Sequence, residues 1–289
     1  MTTTAPSVDR VDRATHRLAR IAVGAGAVLF ASPILVMVFG SLRGRGLPPP
    51  RGLEIVPTDA SVSAYSATLD LLPWTTYVRN SLVVVALAVP LTLLVASLAG
   101  WGIRLLPPRP RRVVIGVTLL SLLVPVTAVW ATRFELYRLI GAVDTLVPLI
   151  ALSLIGTSPF FVLVYAWAFH RLDSAVLDAA AADGAGPGRM WWSIAMPQVR
   201  AVTLAVTVLS FTFHWGNFLD PLLYLQSPDA YTAPLGLRLL QQFNPTDWPL
   251  LMAAATLLAI PSVVVFAVGQ RWFLHDLPVP SSRTRRAAP

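Results

Sequence analysis

Residues Leu82–Ile103 read LVVVALAVPLTLLVASLAGWGI, a run without a single charged side chain. A helix that crosses a bilayer needs roughly 20 apolar residues, and this stretch supplies them. Moving outward in both directions, five more uncharged stretches of similar length appear: Ile21–Leu42, Val113–Thr132, Thr145–Phe169, Ala201–Leu219 and Pro249–Gln270. The composition agrees with them. Of the 289 residues 55% are hydrophobic and 12% charged, and the mean hydropathy is +0.67. A soluble domain carries about 25% charged residues. Half that charge cannot clothe a globule of this size in polar surface. The predicted fold class is therefore all-α: a polytopic membrane protein of six transmembrane helices.

The predicted organisation is a cytoplasmic N-terminal tail (1–20), a transmembrane domain (21–273) and a cytoplasmic C-terminal tail (274–289). Arg10, Arg13, Arg17 and Arg20 precede the first span, as in a signal peptide. Its apolar run exceeds the 7–15 residues of a cleaved segment, so it reads as an uncleaved anchor. Orientation follows from arginine, since the chain contains no lysine. Segments 1–20, 104–112, 170–200 and 271–289 hold 15 of the 22 Arg, against 7 in the opposite segments of nearly equal total length. Cytoplasmic loops collect positive charge, which predicts both termini inside the cell. The +8 net charge thus reflects topology and lipid contact, and no nucleic-acid partner is expected.

Pro33, Pro90, Pro125, Pro159 and Pro261 fall inside these spans. Neighbouring helices or hydroxyls such as those of Thr157 and Ser158 can take up the carbonyls they free. The absence of cysteine excludes disulfides, thiolate metal sites and cysteine nucleophiles. The four histidines share no close spacing, so no metal site is expected. No catalytic constellation stands out either. Asp178 and Asp183 lie five apart on a segment predicted to face the cytoplasm.

Loop 170–200 is too long for a simple connector. Ser174–Ala182 is rich in alanine, the best helix former. It runs into Asp183-Gly184-Ala185-Gly186-Pro187-Gly188, where glycine permits a sharp turn and Pro187 can open a helix. Arg189–Pro197 then reads as a second short helix, and together they would form a small cytoplasmic knob.

This segment resembles the coupling-loop signature of ABC-importer permeases: EAA, three residues, G, nine residues, I-x-L-P. Asp178-Ala179-Ala180 stands for EAA, Gly184 follows at the right distance, and Ile194, Ala195, Met196 and Pro197 close the motif with Met in place of Leu. Asp183-Gly184-Ala185 is similar to the carbohydrate-importing subgroup. Asp178 is one methylene shorter than the family's Glu. Further matches are Phe211–Leu222, Tyr231–Leu237 and Trp248–Phe273, the last similar to the smaller six-span subunit of maltose-type importers. The usual glycine after that ending is replaced by Leu274-His275-Asp276.

The resemblance implies a permease that binds no cofactor itself. ATP and Mg would sit on a partner ATPase that docks at Asp178, Ala179, Ala180, Asp183, Gly184, Ala185, Ile194, Met196 and Pro197. The implied partners are a second permease subunit, two ATPase subunits and an extracytoplasmic solute-binding protein. The absence of lysine agrees, because a Walker A loop requires one. Phe211, Phe213, Trp215, Asn217, Asp220 and Tyr224 are candidates for a sugar path, since sugars stack on aromatics and hydrogen-bond to placed polar groups. Trp215 as an interfacial anchor and Asn217 as helix glue are the alternatives. Another solute, a glycerophosphodiester or an amino acid, fits the same class. A proton-coupled transporter would lean on His214 and Asp220.

Overall fold

The computed structural model describes residues 8–49, 57, 60–154 and 159–276, with side chains from 19 to 271. Every regular element among them is helical. In chain order these are α1 (Val8–Ser41), α2 (Ser63–Leu71), α3 (Trp74–Leu105), α4 (Pro108–Ser121), α5 (Trp130–Leu139), α6 (Val147–Ala151), α7 (Pro159–His170), α8 (Ser174–Ala182), α9 (Pro187–Met190), α10 (Met196–Gln198), α11 (Arg200–Trp215), α12 (Leu219–Tyr224), α13 (Ala233–Phe243) and α14 (Trp248–Asp276). Residues 277–289 of the expected C-terminal tail and the Thr157-Ser158 hydroxyls lie outside the described residues.

Four helical stretches are long and apolar enough to cross a membrane: Ala19–Ser41, Trp74–Leu105, Arg200–Tyr224 and Trp248–Arg271. Two bent pairs raise the count to as many as six. They are Pro108–Ser121 with Val126–Leu139, bent by 88°, and Pro159–His170 with Ser174–Ala182, bent by 79°. The third expected span is thus not a single straight helix, and the second bent pair joins part of the fourth to the segment expected as the cytoplasmic knob. Val113–Thr132 breaks after Ser121, because Pro125 holds an extended conformation (φ −64°, ψ 131°) and restarts the chain as a 3₁₀ turn. Thr145–Phe169 contains two helices, α6 and α7, the second opening at Pro159. Pro33, Pro90 and Pro261, by contrast, lie within continuous helices.

The chain divides into two compact units. One comprises Met1–Leu72 with Leu240–Leu257. Here Gly40 lets α1 approach α14: a Cβ at Gly40 would lie 3.2 Å from Met252 Cγ. Ser41 shares a 2.6 Å hydrogen bond with the Tyr65 hydroxyl, and Thr68 Oγ1 donates to the Ala64 and Leu250 carbonyls. Asp247 caps α14 by accepting from Leu250 N (3.2 Å), and it also holds Arg45 Nε at 3.3 Å. Phe30 on α1 is 84% exposed, as are Val23 and Leu29 in large part. An aqueous surface would not tolerate that apolar stripe; hydrocarbon does.

The other unit comprises Pro73–Leu239 and the chain from Leu258. Its centre is α3 against α7 and α11. Gly100 is the contact point: a Cβ there would meet Tyr165 Cβ at 2.7 Å and Ala166 N at 2.8 Å, so only glycine lets the two backbones come this close. Around it Ala96, Trp101, Tyr165, Phe169, Ala195 and Val206 form a buried cluster. A second close approach is at Gly236, where a Cβ would lie 2.5 Å from the Tyr77 ring.

Candidate functional site

The alanine-rich segment forms α8, and its C-terminal turn is the one the sequence leads one to expect. Asp173 caps the N-terminus by accepting from Ala175 N at 2.9 Å. At the C-terminus Gly184 adopts φ +81°, a left-handed conformation that costs other residues energy. Two backbone bonds close the turn, Gly184 N to Ala181 O (3.0 Å) and Ala185 N to Ala180 O (2.9 Å). This is a Schellman cap with glycine at its left-handed position. Asp178, Ala179, Asp183 and Gly184 are exposed, while Ala180 and Ala185 are half-buried. Nothing lies within 4 Å of a Cβ built on Gly184, so its face is open.

The second segment differs from the expectation. Its helix opens at Pro187, two residues before Arg189, because Gly186 at ψ 165° sets the chain extended just ahead of it. After a π-helical turn over Trp191–Ala195 it runs on through α10 and ends at Gln198, one residue past Pro197 and close to the expected end; Val199 (φ −101°, ψ 22°) separates it from α11, which follows from Arg200. Pro197 is the second residue of α10, directly after the π-helical turn. Ile194 and Met196 are half-buried and Pro197 is exposed. The knob is fastened to the helical core. Trp101 Nε1 donates to the Pro187 carbonyl at 3.1 Å, and Leu177, Met190, Trp191 and Met196 pack on the cluster around Trp101 and Phe169. Arg104 Nε adds a bond to the Phe169 carbonyl at 3.2 Å. Trp101, Arg104 and Asp173 went unnoticed in the sequence; only Asp173, one residue ahead of an alanine run, carries a local signal.

The six path candidates separate into three groups. Phe213 is 52% exposed. Phe211 and Trp215 stack on each other, with ring centroids 5.9 Å apart and planes 11° from parallel. Trp215 is buried, and its Nε1 donates to the Leu258 carbonyl at 2.8 Å, three residues ahead of Pro261 in α14. Asn217, Asp220 and Tyr224 gather about α12. Asn217 Nδ2 donates to Asp220 Oδ2 at 2.7 Å, and Asp220 N donates back to Asn217 Oδ1 at 3.3 Å. Tyr224 is fully buried, stacked on Phe134 and edge-on to Tyr137. His214 is buried with Thr92 Oγ1 and Ser153 Oγ at 3.5 and 3.4 Å.

A clasp ties the loops flanking this cluster. α5 ends at Gly141 (φ +67°) in a second Schellman cap, with Ala142 N bonded to Tyr137 O. Asp144 then takes φ +63°, which aspartate tolerates. Its carboxylate accepts from Gln226 N and Ser227 N, both at 2.8 Å, and from the Ser227 hydroxyl, while its own N–H donates to Tyr224 O. These donors, the Ser227 hydroxyl foremost, hold the Asp144 carboxyl below the usual carboxylate range.

Among the described residues no three or more His, Cys, Asp or Glu group as metal ligands would. Residues 74–277 match the family described as binding-protein-dependent transport system inner membrane component, and the chain belongs to that family. It is an ABC-importer permease, a multi-pass protein of the inner membrane.

Among its relatives is the lactose transport system permease protein LacG of Rhizobium radiobacter, 31% identical over 202 residues, or 68% of this chain and 72% of LacG. The arabinooligosaccharides transport system permease protein AraQ of Bacillus subtilis (strain 168) is 25% identical over 88% of this chain and 90% of AraQ. The sn-glycerol-3-phosphate transport system permease protein UgpE of Yersinia pestis bv. Antiqua is 37% identical over 111 residues, 38% of this chain and 40% of UgpE. The fold is shared with the crystal structure of a bacterial ABC transporter involved in the import of the acidic polysaccharide alginate. That match has a TM-score of 0.73 at 18% identity and covers 93% of this chain and 100% of that one.

Proposed function

We propose that the chain forms half of the translocation path of an ATP-driven importer of a sugar or oligosaccharide. The other half is a second permease, two ATPase subunits hold ATP and Mg, and an extracytoplasmic binding protein delivers the solute. Both termini and the knob face the cytoplasm, and α8 with its Gly184 turn is where the ATPase docks. The observation that carries this reading is the exposed α8–Gly184 cap, bolted through Trp101 and Pro187 to the α3–α7 core. A pull there moves the helices that carry the path. Small alanine side chains let a partner surface come close. Family membership and the relatives named for lactose and arabinooligosaccharides support a carbohydrate cargo. A second reading, glycerol 3-phosphate, is favoured by the 37% identity to UgpE over 111 residues.

Affinity purification in mild detergent, with the neighbouring genes co-expressed, tests the assembly. The expected result is co-elution of an ATPase and a second permease, lost when Asp178 is changed to Lys. Normal ATPase recovery with Asp178→Lys would remove Asp178 from the docking surface. Elution of the chain alone, from cells that contain all partners, would overturn the assembly.

A further inference from the structure

Trp130, Arg133, Phe134 and Tyr137 recur at intervals of three and four on α5 and so share one helical face. Asp220 and Tyr224 share a face of α12 in the same way. The two faces meet: Tyr224 stacks on Phe134 with centroids 6.4 Å apart and meets Tyr137 edge-on at 5.3 Å. Four polar atoms on these two helix faces are buried without a hydrogen-bond partner: Trp130 Nε1, Arg133 Nη1, Asp220 Oδ1 and the Tyr224 hydroxyl. Asp220 is only 7% exposed and Tyr224 is fully buried. Buried polar groups are nearly always satisfied, so four on two helix faces that meet call for an explanation.

We infer that Trp130, Arg133, Asp220 and Tyr224 form a subsite for the hydroxyl groups of a neutral sugar or polyol on its way through the permease. Their chemistry selects that class. The indole and guanidinium groups only donate, the carboxylate only accepts, and the phenol does both. A hydroxyl also does both, so a diol can take donors on one side and give its proton to Asp220 on the other. A phosphate or uronate would satisfy the two donors but place its charge against Asp220. An ammonium group would meet Arg133. The subsite rests on the importer reading above, and it favours a neutral cargo over glycerol 3-phosphate or an acidic polysaccharide.

The test is equilibrium dialysis of the detergent-solubilised importer complex against radiolabelled lactose, arabinotriose, sn-glycerol 3-phosphate and an alginate trisaccharide. ATP-driven uptake of the same probes into proteoliposomes is measured alongside. Trp130→Phe and Tyr224→Phe each delete one polar atom and keep the ring. Asp220→Asn replaces the anionic acceptor. The expected result is retention of a neutral probe, weakened about tenfold by each variant, as for the loss of one good hydrogen bond. Trp130→Phe keeps the test valid should Asp220→Asn fail to assemble. Neutral-sugar affinity unchanged in the variants would overturn the subsite, as would binding of charged probes alone, tightened by Asp220→Asn. If uptake of a neutral sugar persists in those cases, the importer reading stands and only this inference falls. Absence of ATP-driven uptake of every probe would count against both.

Discussion

Gly184 offers a perturbation whose outcome separates backbone geometry from surface fit. Its φ of +81° is open to glycine, tolerable for asparagine and unfavourable for alanine and β-branched residues. No atom lies within 4 Å of a Cβ built there, so a side chain meets no clash within the chain and the cost is conformational alone. For Gly184→Ala that cost is about 1–2 kcal/mol. It shifts the balance between the closed cap and a frayed one by roughly 5–30-fold. The two bonds at stake are those of Gly184 N and Ala185 N to the last turn of α8. Gly184→Asn retains most of the left-handed preference, whereas Gly184→Val loses it and adds a branched Cβ. If the cap's shape couples ATP hydrolysis to import, solute moved per ATP hydrolysed should rank wild type, Asn, Ala, Val from best to worst. Uptake into proteoliposomes with phosphate release measured in parallel gives that ratio. A ranking by side-chain size, with Asn worse than Ala, would refute the conformational argument and point to a tight ATPase contact instead. Equal ratios for all four would remove Gly184 from coupling altogether.

At the α3–α7 contact, Gly100→Ala sets a Cβ 2.7 Å from Tyr165 Cβ and 2.8 Å from a backbone nitrogen, which has no rotamer to yield. A loss of about 1–3 kcal/mol is expected from such overpacking. Gly102→Ala, with nothing within 4 Å, is the control. Thermal denaturation in detergent reads both. The Asp144 clasp has a definite pH sign. Its carboxyl titrates below the usual range in the folded chain, so its contribution is present above that range and is lost only as the pH falls beneath it. Hydrogen exchange at the Gln226 and Ser227 amides, corrected for intrinsic rates, should stay slow through the ordinary carboxylate range, and Asp144→Asn should speed it at neutral pH. Trp215→Phe deletes the bond to the Leu258 carbonyl and should cost about 0.5–1.5 kcal/mol of stability. Solute affinity should be unchanged. Weaker solute binding at full stability would place Trp215 in the path.

The parts of this fold legible from sequence are those decided by neighbours in the chain. Uncharged runs mark α1, α3, α11 and α14, since the bilayer imposes the same demand on every residue of a span. The Gly184 cap was legible too: an alanine run that ends in Asp-Gly has few ways to stop. Proline was harder to read. Five lie in apolar runs, yet Pro33, Pro90 and Pro261 sit within continuous helices, while Pro125 marks an 88° break and Pro159 a helix start. Proline in an apolar run therefore marks a break at some positions and none at others. The candidate site divides along the same line. Asn217 and Asp220, polar residues next to an apolar run, announce themselves. Trp130 and Arg133 do not, because they sit about ninety residues away in a stretch that looks like an ordinary span end and loop. Only the 88° bend after Ser121 starts a separate helix whose aromatic and cationic face can turn toward α12. The break that defeated the straight-span expectation is therefore also what assembles the polar junction. Joining the two halves of that span by Pro125→Ala, which restores the missing N–H, is the change that should disperse it.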